Sequence, residues 1–134
     1  MSFVEKKIYS QAGEDGVIQG IFKLIGLTNK LCVEFGSTGA CDNTKFLRTK
    51  QGWKAVLFDR TPTSPKTHAE FITAANIVTV FKKYKVPLNF DLLSIDIDGN
   101  DYWVWKALEG GYRPRVVIIE YNCNFPLNVS KTIK

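Results

Sequence analysis

Histidine is almost missing from this chain of 134 residues, which holds one, His68. It sits in a polar stretch predicted to be helical and has no evident partner. A Ser-His-Asp triad and most zinc chemistry depend on imidazole, so both are set aside. Cysteine is nearly as scarce: Cys32, Cys41 and Cys123 are odd in number, widely spaced and include no CxxC pair. That excludes a disulfide framework and a zinc site, and it points to a reducing compartment. No apolar run approaches the ~20 residues that cross a bilayer, VVII at Val116 to Ile119 being far too short. The opening MSFVEKKIYS has no apolar core of the signal-peptide kind, so a cytoplasmic location is expected. A basic stripe is lacking too. The net charge is +5, yet the cations are dispersed and their one cluster is KKYK at Lys82 to Lys85. Nucleic acid is therefore not an expected partner, and the charge reads as solubility with mild attraction for anionic ligands.

What is present is an ordinary globular composition, 45% hydrophobic and 23% charged, with no linker or repeat to divide it. One domain over residues 1–134 is expected. EDGVIQGIFKLIG spaces its apolar residues as a helix, with Glu14 or Asp15 to cap its start and Gly26 to end it. LCVEFG reads as a buried strand. DNTKFLRTKQG reads as a short helix with Asp42 as N-cap and Gly52 as stop. WKAVLFDR is a second strand, KTHAEFITAA a helix, NIVTVF a third strand and DLLSIDID a fourth. NDYWVWKALEGG predicts a helix from Asp101 to Glu109, and RVVIIEY a fifth strand. Strands that are continuous apolar runs, alternating with helices, predict an α/β fold: a parallel sheet of about five strands covered on both faces.

In such sheets ligands bind beyond the carboxyl ends of the strands. The acids gather there, with Glu34, Asp59, Asp96, Asp98 and Glu120 each at the end of a predicted strand. In VEFGSTGACDN, Gly36 and Gly39 let the main chain turn sharply and approach a ligand, although GxGxxG is lacking. An ordinary strand-to-helix turn has the same look. Asp59 follows that turn by about 20 residues, the spacing at which nucleotide-binding folds set an acid against ribose hydroxyls. Arg60 reads as solvent-exposed, with a carboxylate or phosphate as its alternative contact. In SIDIDGND, Ser94, Asp96 and Asp98 share one side of the strand, the two carboxylates roughly 7 Å apart. They could bind a divalent metal, hold a cationic group or divide acid and base roles. Asp98-Gly99 is also a turn signal, and Asp101 or Asn100 a helix cap. Trp105 reads as packing, while Tyr102 or Trp103 could wall a pocket for a flat base or a cation.

Together YSQAGEDGVI, VEFGSTGACDNT, GWKAVLFD, DLLSIDIDGNDYWVW and PRVVIIEYN resemble the FkbM-type branch of class I S-adenosylmethionine-dependent methyltransferases. The resemblance covers nearly the whole chain in order. It implies a Rossmann-like sheet in the order 3-2-1-4-5, with S-adenosylmethionine lying over Gly36, Ser37, Thr38 and Gly39 and its ribose on Asp59. Glu34 would face the methionine end or a water near it, and Asp96 the sulfonium. Ser10, Gln11 and Glu14 would fold over the same pocket. With a hydroxyl acceptor, the general base would be Asp98, Asp96 or Glu120. No metal is required. The acceptor, a small molecule or sugar, is not identified.

The family continues past the fifth strand with a helix and an antiparallel strand pair, whereas 13 residues follow Tyr121 here. RVVIIEY is then expected to be an apolar edge, covered by the tail or by pairing in a homodimer. Two other functions stay open. One is a binding module for the cofactor or a nucleotide that needs a partner chain. The other is a nucleotide-sugar transferase holding a metal on Asp96 and Asp98.

Overall fold

The structure is a computed structural model describing residues 3–39, 42–121, 124–126 and 128–132. Cys41 and Cys123 lie outside them; Cys32 is free and buried. In chain order come α1 (Glu14–Ile25), β1 (Leu31–Phe35), α2 (Lys45–Lys50), β2 (Lys54–Asp59) and β3 (Thr67–Ala69). Then follow α3 (Ile77–Lys83), β4 (Asn89–Ile95), α4 (Asp101–Ala107) and β5 (Arg113–Ile119). The strands form one five-stranded sheet in the order β3-β2-β1-β4-β5, every pairing parallel. This is the Rossmann-like α/β architecture that was expected.

The period of two along the strands supplies a core on each face. Val33, Phe35, Phe58, Leu93 and Ile95 meet α3 and α4 through Phe81, Val104 and Leu108. Phe81 stands among the rings of Phe35, Phe90 and Tyr112, with centroids 4.8–6.2 Å away. On the other face Cys32 and Leu92 meet Ile18 and Phe22 of α1, and Phe22 packs edge-on against Trp53 at 5.0 Å. Gly26, at φ 73°, ends α1 as expected. Among the described residues no helix is long and apolar enough to cross a membrane.

Two neighbouring segments exchange the conformations read from sequence. NIVTVF, expected as a strand, lies largely within α3. Its β-branched residues favour a strand locally, but as a helix it turns Ile77, Val80 and Phe81 to the sheet and leaves Val78 and Thr79 outside. The expected helix KTHAEFITAA instead supplies β3, which pairs Thr67, His68 and Ala69 with β2. His68 is not partnerless: its ring lies 4.1 Å from that of Tyr84 and 5.7 Å from that of Phe58.

The helix starts also differ from expectation. The N-cap of α1 is Gly13, with φ 102°. Asp15 faces backward instead, its Oδ2 accepting N–H bonds from Ile8, Tyr9 and Ser10 at 2.7–2.9 Å. The N-cap of α2 is Thr44 rather than Asp42, which is drawn into the loop before the helix.

At the amino ends of the strands, Asp91 is fully buried and accepts N–H bonds from Thr28, Asn29 and Lys30 at 2.8–3.0 Å. Arg115 pairs with it at 3.0 Å and donates onward to the carbonyls of Ile25 and Gly26 at the end of α1. One carboxylate thus joins the α1–β1 loop, β4 and β5. Asp91→Ala leaves three N–H groups and a guanidinium without their acceptor, so urea denaturation is expected to show a loss of about 2–4 kcal/mol. Arg115→Ala, which keeps the N–H bonds, should cost less.

Candidate functional site

β1 is flanked by β2 and β4, and the chain runs outward from it in both directions. The carboxyl ends of β1 and β4 therefore mark the point where strand order reverses, the usual ligand crevice of open α/β sheets. Two turns meet there. Gly36 has φ 74°, and a Cβ on it would lie 1.9 Å from the carbonyl oxygen of Asp96. Only glycine lets the β1 turn close against the β4 turn.

The glycine turn is held from beneath. Ser37 donates N–H to Phe58 O at 3.1 Å, and its Oγ to Asp42 Oδ2 at 2.9 Å. Gly39 N–H donates to Asp42 Oδ1 at 2.9 Å, while Arg48 pairs with Asp42. Lys45 Nζ donates to Gly39 O at 2.8 Å, and Thr63 Oγ1 to Thr38 O at 2.6 Å. Glu34 is buried, 3% exposed, and accepts Asn43 N–H at 2.7 Å and Thr44 Oγ1–H at 2.5 Å. It fixes the entry to α2. Burial pushes its carboxyl from the ordinary 4.5 up to about 7, against the pull of those donors.

The β4 turn carries the acids. The strand ends at Ile95, so Asp96 and Asp98 lie beyond it, and Asp98 takes the left-handed φ of 57° that aspartate tolerates. Asp101 is buried and accepts Ile97 N–H at 2.9 Å and Gly99 N–H at 2.8 Å. It therefore braces the turn, while the N-cap of α4 is Asn100 without a side-chain bond. Glu120 N–H bonds Ile95 O at 3.0 Å, extending the β4–β5 pairing by one step and bringing Glu120 beside Asp96. Oxygens of Asp96, Asp98 and Glu120 all lie within 4.8 Å of one another. The carboxylates reach solvent, yet the protein around Asp96 and Glu120 thins their hydration and raises both above the usual range. A hydrogen bond between the two eases this for Asp96, and the charges of Asp98 and Asp101 add to the rise in each. Thinned hydration and like charges thus favour protonation of the pair.

Two hollows meet at these acids. A cavity of about 300 Å³ is lined by Glu14, Asn43, Asp96, Ile118, Glu120 and Tyr121. A groove of about 1200 Å³ runs between Asp98, Tyr102, Trp103 and Trp105 on one side and Phe125 and Lys131 on the other. Glu120 and Tyr121 belong to both. Trp105, expected as packing, is 42% exposed and walls the groove.

The sequence-predicted residues thus fall into groups. Asp96, Asp98 and Glu120 come together. Ser10 is buried against Asp15, Gln11 is exposed, and Glu14 reaches the cavity. Asp59 ends β2 and accepts Thr61 N–H at 2.7 Å, while Arg60 lies over the Phe71 ring at 5.2 Å. Gln11, Glu34, Gly36, Ser37, Thr38, Gly39, Asp59 and Arg60 line neither hollow. Asn43 was missed. It lines the cavity and donates Nδ2–H to Ser94 Oγ at 3.1 Å, and the paired Asp42-Asn43 after the second glycine was its one signal. No protein-family model, curated protein or solved structure matches the chain.

The raised carboxyl of Glu34 has a consequence for stability. Folding favours its protonated form, so its contribution is fully present below 4.5 and is lost as pH rises through about 7. Glu34→Gln, whatever its absolute cost, is expected to remove that decline. Unfolding midpoints measured between pH 4.5 and 7 should fall in the native chain relative to the variant.

Proposed function

We propose that the chain binds S-adenosylmethionine at the carboxyl ends of β1 and β4 and passes a methyl group to a hydroxyl of a small molecule or sugar. The observation that carries this reading is the position of Asp96 and Glu120. Asp96 lines the smaller hollow, and Glu120 lines both it and the wider aromatic groove, one hollow for a donor and one for an acceptor. A carboxylate pair held above its ordinary pKa suits a positively charged ligand, and the Gly36 turn, closed against the Asp96 carbonyl, fixes where that pair stands. Bound there, S-adenosylmethionine would supply an electrophilic methyl group on a sulfonium.

The residues of the chain would align and deprotonate. Asp96 would face the positive charge, beside the turn from Gly36 to Gly39. Asp59, on the strand beside β1, would accept from ribose hydroxyls. Glu120 or Asp98, at the mouth of the groove, would take the acceptor hydroxyl proton as the oxygen attacks.

A second reading rests on the same three carboxylates. Oxygens within 4.8 Å of one another can converge on one divalent cation, as a metal-dependent nucleotide-sugar transferase would require. Titration calorimetry separates the two. S-adenosylmethionine and S-adenosylhomocysteine are expected to bind without metal, and a UDP-sugar with manganese is expected not to. The reverse pattern would favour the metal site.

Two variants sharpen the test. Asp96→Asn is expected to weaken S-adenosylmethionine about fivefold, the scale of a partly exposed ion pair, and to leave S-adenosylhomocysteine, which lacks the sulfonium, nearly unchanged. Asp59→Ala should weaken both ligands by about 1–3 kcal/mol through unpaired ribose hydroxyls. Because the Asp96 and Glu120 carboxyls are raised, affinity for the sulfonium ligand alone should climb as pH passes above the ordinary carboxylate range.

A further inference from the structure

The opposite edge of the sheet has the opposite character. Lys30 precedes β1, Lys54 opens β2 and Arg113 opens β5. Main-chain bonds bring their connections together: Lys54 N–H donates to Lys30 O at 2.9 Å, and Arg113 N–H to Leu88 O at 2.6 Å. Asn29 Nδ2 donates to Asn89 O at 3.0 Å, joining the α1–β1 loop to the start of β4. Lys85 lies three residues ahead of Leu88 in the same connection. At about 4.8 Å per strand, the row from β2 to β5 spans roughly 15 Å. Lys30, Lys54, Lys85 and Arg113 are exposed, and none takes part in a described ion pair. Of the acids near them, Asp91 is buried and paired with Arg115. Glu109, in the α4–β5 connection, is the single exposed acid of the four connections at this edge.

Aliphatic side chains stand among these cations. Leu24, Leu27 and Leu88 are 58%, 47% and 57% exposed. The bonds from Arg115 to Ile25 O and Gly26 O hold the end of α1 against β5, and the Arg113 N–H bond to Leu88 O sets Leu88 at the start of the same strand, so these leucines share the amino-end edge with the cations. Two of the lysines also occupy positions that disfavour them. Lys30 and Lys85 have φ of 50° and 55°, where glycine or asparagine would fit at lower cost. The aromatic residues of the same connections are turned inward: Trp53 and Tyr112 are buried, and Tyr84 packs on Phe58 and His68.

We infer that this amino-end edge docks on an anionic lipid surface, its cations meeting headgroup charge and its leucines entering the interface. Exposed aliphatics between cations are what a bilayer boundary rewards. A single-stranded nucleic acid would call instead for exposed rings on which bases can stack. The chain would lie on the bilayer rather than span it, with the carboxylate cluster facing water on the far side. This inference is independent of the proposed methyl transfer.

Flotation of the full chain tests it, with vesicles of phosphatidylcholine alone and with about 30 mol% phosphatidylserine added. Binding is expected to the anionic vesicles only, and to be lost at high salt. Combining Lys30→Gly with Lys85→Gly relieves two left-handed strains, so the melting temperature should hold or rise. Vesicle affinity should nevertheless fall about 25-fold, about fivefold for each charge removed. Pairing Leu27→Ser with Leu88→Ser should weaken binding while leaving its salt dependence. Failure to bind anionic vesicles, binding unchanged in the double lysine variant, or displacement by single-stranded RNA at equal phosphate concentration would each overturn the inference.

Discussion

The carboxyl edge of this sheet depends on a missing side chain. At Gly36 the carbonyl oxygen of Asp96 occupies the space that any Cβ would need. That contact clamps the turn after β1 against the turn after β4, at the point where strand order reverses. Everything nearby follows from it. Glu120 comes beside Asp96 because β5 pairs with β4 up to that level. The loops below are then fixed by buried acceptors, Asp42 under the glycine turn and Asp101 under the aspartate turn.

Polar groups are thereby sorted by position along the strands. At the amino ends a single buried carboxylate, Asp91, gathers three N–H groups and one guanidinium, while the lysines around it stay in solvent. At the carboxyl ends Asp42 and Glu70 are paired with Arg48 and Lys83, while Asp96, Asp98 and Glu120 gather without a described ion pair. A parallel sheet makes this separation easy, because all its strands end on the same side. A chain with a net charge of +5 can thus carry an acidic site at one edge and a basic face at the other.

Much of this was legible in the residues. The four strands that are continuous apolar runs were readable because burial on both faces leaves no alternative composition. The exchange at residues 66–83 was not, since Ile77, Val78, Thr79 and Val80 favour strand locally and only the sheet surface makes them a helix. β3 was hidden for a related reason: three residues paired on one side need little apolar character. At the site, the acids Asp96, Asp98 and Glu120 could be found from strand ends. Glu34 could not be judged, because a carboxylate at a strand end looks the same whether it meets ligand or the N–H groups of Asn43 and Thr44. Trp105 was misread because a helix one layer deep exposes its outer face wherever nothing further covers it.

Protonation separates acids that build the fold from acids that wait for something else. Burial works against ionisation at Asp15 and Asp91, yet the main-chain N–H groups around them outweigh it and hold both below the usual carboxylate range. Asp91 is balanced within the chain by Arg115, whereas at Asp15 one oxygen, Oδ2, gathers the donors and the buried Oδ1 has no described partner. Asp96 and Glu120 show the opposite balance: loss of hydration raises them, and their nearest charged neighbours are further acids rather than cations. Glu34 is an intermediate case, raised by burial although fully engaged with α2. Burial alone therefore does not mark a ligand site. The combination expected of one is a raised carboxyl with solvent access, like charges beside it and a hollow in front of it. Among the carboxyls whose shift is resolved, Asp96 and Glu120 meet all of these conditions. A cationic ligand placed there would restore at the carboxyl edge the charge balance that Arg115 already provides for Asp91 at the amino edge.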